Sequence, residues 1–192
     1  KANVDASDNT SVGYAAFYDN TSGSNNVGIG FQAGYSNTTA SDLTYVGHNA
    51  GFNNTTGAAN TGIGRLALHN NTTGAGNVST GAYSMQDNTT GGENTAMGSY
   101  ALNDNTSGSG NVAVGRESLA NNTTGNDNVA IGKLSVYTNT TGSQNTAVGT
   151  QSLRLNQSAT ANTAIGYYAL RNNQTGALNV AIGKEALQNN TA

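Results

Sequence analysis

One pattern recurs every seventeen residues without an insertion: Asn, then Thr or Val, a residue that is usually small, usually Val or Ile, and Gly. It opens at Asn9, Asn26, Asn60, Asn77, Asn94, Asn111, Asn128, Asn145, Asn162 and Asn179, and Leu43 fills the slot where the Asn is missing. A fixed short period gives each unit one structural step, packed mainly against copies of itself. The sequence therefore predicts one continuous array over residues 1–192, with a partial first coil at 1–8 and eleven repeats over 9–192, the last incomplete. Both ends fall inside a unit and no polar cap is visible, so the expectation is a piece of a longer fibre.

Composition narrows what the array can do. Charged residues make up 9% and hydrophobic residues 35%, a balance that suits disorder until the strict apolar period is considered. Seven scattered Lys and Arg under a net charge of −3 argue against nucleic-acid binding, which needs clustered cations. No run of about eighteen apolar residues is present, so this segment is not expected to insert in a membrane. The absence of Cys is compatible with a secreted or virion protein.

Numbering the opening Asn as position one, position five is Gly in every unit: Gly13, Gly30, Gly47, Gly64, Gly81, Gly98, Gly115, Gly132, Gly149, Gly166 and Gly183. A positive φ or a close backbone approach explains such uniformity. The β-branched, alternating stretch before it reads as a short strand. Positions seven to ten, often Ala-Leu in the middle, read as a second short strand or an extended corner, being too short for a stable helix. Position twelve is Asn throughout: Asn3, Asn20, Asn37, Asn54, Asn71, Asn88, Asn105, Asn122, Asn139, Asn156, Asn173 and Asn190. In-register amides predict a ladder there, and a second at position one interrupted by Leu43. Thr-Thr-Gly usually follows position twelve and reads as a turn.

The fold class is thus all-β, a parallel β-solenoid of about eleven 17-residue coils. About three sizeable apolar side chains per coil give a thin core. Val and Ile at position four are expected to fill it. Position three then faces out, and Ala96, Ala113, Ala130, Ala147, Ala164 and Ala181 form a flat stripe on which other chains meet. Tyr45, the misfit in that column, reads as exposed.

Asn-Val-Ala-Ile-Gly at 128–132 and 179–183, with Asn-Thr-Ala-Ile-Gly at 162–166, resembles the head repeats of YadA-type trimeric autotransporter adhesins. The array is also similar to those of phage and bacterial fibre proteins that end in an intramolecular chaperone. The resemblance implies a left-handed parallel β-roll, three chains per rod and a cell-surface location. Adhesin heads use shorter repeats, and the extra residues here fall in the Asn-Thr-Thr-Gly turn.

No catalytic constellation is visible, and neither a metal nor another cofactor is expected. His48 and His69 sit in variable positions, and no pair of carboxylates recurs. Position six reads Tyr14, Phe31, His48 and position ten reads Tyr18, Tyr35, Phe52, His69 at the N-terminal end, where Gly34 and Gly51 replace the usual Leu at position nine. Two readings of these aromatic columns stand: a stacking platform for sugars, or ladders that stabilise a coil edge. Asn-x-Ser/Thr recurs at position twelve, but a buried ladder Asn cannot carry a glycan. Adjacent Thr residues in a turn diverge, which argues against an ice-binding face.

The functional expectation is a structural rod of an extracellular, cell-surface or virion fibre. It would be a homotrimer that presents a receptor-binding element and touches host receptor or surface carbohydrate. An adhesin head that binds matrix or carbohydrate directly, or a self-assembling filament, is the alternative.

Overall fold

The computed structural model describes residues 6–191; Asn3 lies outside them. Eleven three-residue strands, from β1 (Thr10–Val12) to β11 (Val180–Ile182), form one parallel sheet in sequence order. Each pairs with the residue seventeen positions on: Thr10 with Val27, Ala113 with Ala130, Ile165 with Ile182. The chain is a β-solenoid in which the sequence repeat and the coil coincide.

The rest of each coil is turn, not a second strand. Positions seven and nine take left-handed backbone even at non-glycine residues: Leu66 and Leu68 at φ of 58° and 53°, Glu117 and Leu119 at 55° and 52°. Such residues cost about 1–2 kcal/mol each. The return is that successive N–H groups point along the rod instead of around it. At position seven the N–H donates to the preceding coil (Gln32 to Tyr14 O, 2.8 Å), and at position nine to the following coil (Phe17 to Ala33 O, 2.9 Å). Buried backbone groups left unpaired would cost more than the local strain. The extended corner expected at positions seven to ten is therefore a stepped turn imposed by the neighbouring coils.

The strand faces are reversed from the expectation. Position three points into the coil: Ala96, Ala113, Ala130, Ala147 and Ala164 are fully buried and Ala181 nearly so. Position four points out, leaving Ile29, Ile63, Met97, Ile131 and Ile165 between 38% and 48% exposed. The interior explains the reversal. One Leu, Met or Val at position nine, buried Ala or Ser at position eight, and asparagines at positions one and twelve already occupy most levels. Only a small side chain fits between them from the strand. The interior thus holds one large apolar side chain per level in most coils, not three.

Tyr45 is likewise buried, not exposed. Its ring lies where a side chain on Gly51 would stand and also borders Gly62. Phe17 fills the corresponding space beside Gly28 and Gly34. The room left by the glycines at position nine is therefore interior, and two aromatic rings occupy it.

Candidate functional site

What recurs at every level is an amide framework. The side chain of Asn122 donates to Oδ1 of Asn105 at 2.9 Å and to the carbonyl of Gly125 at 3.0 Å. Asn111 donates to that same Gly125 carbonyl at 2.9 Å. Both asparagine columns thus converge on position fifteen, whose carbonyl has two lone pairs to offer. In the second column Oδ1 also accepts the next backbone N–H, as when Asn128 N donates to Asn111 Oδ1 at 3.0 Å. The ladder expected at position twelve is present from Asn20 through Asn37, Asn54, Asn71, Asn88, Asn105, Asn122 and Asn139 to Asn156. Asn173 bonds to Gly176 in its own coil and accepts from Asn190.

Two irregularities show how tight the framework is. An added Cβ at a position-fifteen glycine would meet the ladder amides on both sides; at Gly108 it would lie 2.5 Å from Asn105 Oδ1 and 2.8 Å from Asn122 Nδ2. Ala40 and Ala159 carry that methyl naturally. Beside Ala40 the Asn54–Asn37 contact stretches to 3.5 Å. Beside Ala159 the Asn156 Oδ1 is buried without a partner. Ala159→Gly is therefore expected to close the ladder and raise stability by about 1 kcal/mol, read as a higher urea midpoint at unchanged m-value.

Leu43 shows the opposite adjustment. It cannot donate to the Gly57 carbonyl, and Asn60 of the following coil reaches back to do so at 3.0 Å while keeping its own bond to Gly74 O at 2.7 Å. Removing an amide without such a substitute leaves buried partners unpaired. Asn122→Ala is expected to cost about 1–3 kcal/mol in chemical denaturation. Burial of position twelve also closes the Asn-x-Ser/Thr sites at Asn37 to Asn173 to glycan attachment. The threonines after them are equally committed, with Thr72 Oγ1 donating to Thr89 O at 2.9 Å and Thr106 Oγ1 to Thr123 O at 3.0 Å.

The position-five glycines adopt φ between 123° and 139° at Gly13, Gly30, Gly47, Gly64, Gly81, Gly98, Gly115, Gly132, Gly149, Gly166 and Gly183. Both reasons suggested by the sequence apply at once. The conformation is one that side-chain-bearing residues avoid, and each glycine but Gly183 lies against the backbone of the next one.

The N-terminal aromatic columns are ladders of stacked rings. Tyr14–Phe31 and Phe31–His48 lie 5.3 and 5.1 Å apart, and Tyr18–Tyr35, Tyr35–Phe52 and Phe52–His69 lie 5.3, 5.1 and 5.4 Å apart, all within 16° of parallel. Ring faces therefore cover one another, and what the columns offer a ligand along their length is edges and hydroxyls. His48 and His69 end different columns. Among the described residues no group of three His, Cys, Asp or Glu could hold a metal ion.

A concavity of about 480 Å³ lies elsewhere, on the turn side of coils six to eight, between Tyr100, Asp104, Arg116, Ala120, Asn121 and Tyr137. The columns contain its one sequence signal: Ala120 interrupts a position-ten series otherwise made of larger side chains. Among the described residues no helix is long and apolar enough to cross a membrane. Comparison of the chain with family models, curated proteins and solved structures finds no match.

Proposed function

We propose that this chain is the shaft of an extracellular or virion-surface fibre, in which three copies pack side by side and hold a receptor-binding element away from the surface that bears them. The observation that supports it is the outward face of the sheet. Along an unbroken rod of roughly 50 Å, apolar side chains stand at nearly every level of position four, from Val12 to Ile182. Contiguous apolar patches of that extent are seldom left in water. Closure around a three-fold axis would bury the stripe on every copy at once, whereas open side-by-side addition would give a filament. The contact surface is thus the Val/Ile column, in place of the buried alanines. The lengthwise amide and backbone bonding suits a spacer, because every coil is braced by its neighbours.

Multi-angle light scattering over a range of concentrations tests the reading. The expected mass is three times the 19.4 kDa of one chain. Replacing Ile131 and Ile165 together by Asp is expected to release monomers that retain β circular dichroism. A wild-type monomer that persists at high concentration would sink the trimer, and a mass that grows without limit would favour the filament.

A further inference from the structure

We infer that the groove at coils six to eight is a binding site for a neutral pyranose sugar, seated against the face of Tyr137 left open at Ala120, with Tyr100 also lining the groove. Its lining comes from the turn segments at positions six to eleven and includes none of the strand residues of the sheet face. The argument starts from the missing side chain. Several aromatic rings on this rod are covered by the ring that follows in their column. Tyr137 is covered on one side only, by the Arg154 guanidinium 5.8 Å from its centroid. On its other side position ten is Ala120, whose methyl cannot reach over the ring. Tyr100 stacks on Tyr83 at 4.8 Å and interplanar 7°, and its second face also looks toward coil seven, where position seven is Glu117. Tyr100 stands at position seven and Tyr137 at position ten, two coil steps apart along the axis, about 9.6 Å.

Polar groups flank the groove. Asn103 is fixed by donating to Tyr83 O at 2.7 Å, which leaves its Oδ1 as an acceptor. The side chains of Asn121 and Asp104 also line the groove. Arg116 is occupied with Glu117 at 2.6 Å. A carboxylate and amides beside apolar ring faces match a pyranose, whose C–H face seeks the ring and whose neighbouring hydroxyls pair with side chains that accept or donate at two atoms. The Asp104 carboxyl disfavours anionic sugars. Burial, then the nearby Asp87, holds the Asp104 carboxyl above the usual carboxylate range, so its ionised form is destabilised until something donates hydrogen bonds to it.

Saturation-transfer NMR with the methyl glycosides of glucose, galactose, mannose and N-acetylglucosamine tests the site, with N-acetylneuraminic acid as the anionic control. At least one neutral glycoside is expected to receive saturation and the acid to receive none. Tyr137→Ala is expected to weaken binding about tenfold. Ala120→Tyr is the sharper variant, because Tyr already occupies position ten at Tyr18, Tyr35 and Tyr137, so the coil accommodates it. It should complete the column, abolish transfer and leave thermal stability equal or higher. Absence of transfer to every neutral glycoside, or transfer that survives Ala120→Tyr, would overturn the assignment. The mass measurement that tests the trimer is unaffected by either result.

Discussion

Gly98→Ala is expected to be strongly destabilising. The new Cβ would lie 2.7 Å from both the carbonyl carbon and the carbonyl oxygen of Gly115, at a φ of +137°. Neither partner can move cheaply. Gly98 N–H is bonded to Thr80 O and Gly115 N–H to Met97 O, each at 2.8 Å, so separating the glycines pulls the sheet apart at that level. Backbone strain accounts for about 1–3 kcal/mol and the forced separation for more, giving an expected loss on the order of 4 kcal/mol. The chain supplies its own control. At Gly183, with φ +126°, an added Cβ meets only Ala186 Cβ, at 4.0 Å. Gly183→Ala should therefore show the strain alone, and the difference between the two variants in urea denaturation isolates the backbone contact. Because coils communicate mainly with their neighbours, a lesion at Gly98 is also expected to split one unfolding transition into two. Equal, small losses at both glycines would refute the close-approach account.

The parts of this fold that were legible in the sequence are those where one residue type has one structural excuse. A glycine at position five and an asparagine at position twelve of every unit admit few explanations, and the ladder and the close approach follow from them. Strand orientation was different. Alternation of Ala with Val or Ile defines two faces but does not say which is inside. Size suggested that the larger residues fill the core, yet the interior is already occupied by Leu119 and its equivalents and by two asparagines per level, so the methyl of Ala113 is what fits. The left-handed turns at Leu66 and Leu68 were hidden for a related reason. Leucine has no intrinsic preference for that conformation, and only the carbonyls of the adjacent coils make it favourable. The groove at Tyr137 was hidden because its signal is an absence, one Ala in a column of larger residues, which has meaning only once the columns are known to stack.

The N-terminal coils carry a second prediction of large effect, because there the core is filled from the wrong positions. In coils six to ten position three is Ala and position nine is Leu or Val. In coil three the roles are exchanged: Tyr45 stands at position three and Gly51 at position nine, and the ring occupies the space of the absent side chain. Tyr45→Ala should open a cavity that the rigidly bonded backbone cannot collapse to fill, at about 3–5 kcal/mol. Gly51→Leu alone should be destabilising by a comparable amount, since its side chain would be built into the Tyr45 ring. Backbone conformation is no obstacle to the leucine, because Gly51 has φ +59° and Leu68 holds the same position at +53°. The double substitution turns coil three into the common pattern, and its stability is expected to return to within about 1 kcal/mol of the parent. It also removes the Tyr45 hydroxyl, which is buried without a well-formed hydrogen bond and whose ionisation burial drives far above the ordinary phenol range, offset only in part by the Asn60 amide. A double-mutant cycle reads the result directly. Strong favourable coupling, several times the additivity error of about 0.5 kcal/mol, is expected. Additive losses would mean that the ring and the glycine do not share one space, and the exchange of roles in coil three would have to be abandoned.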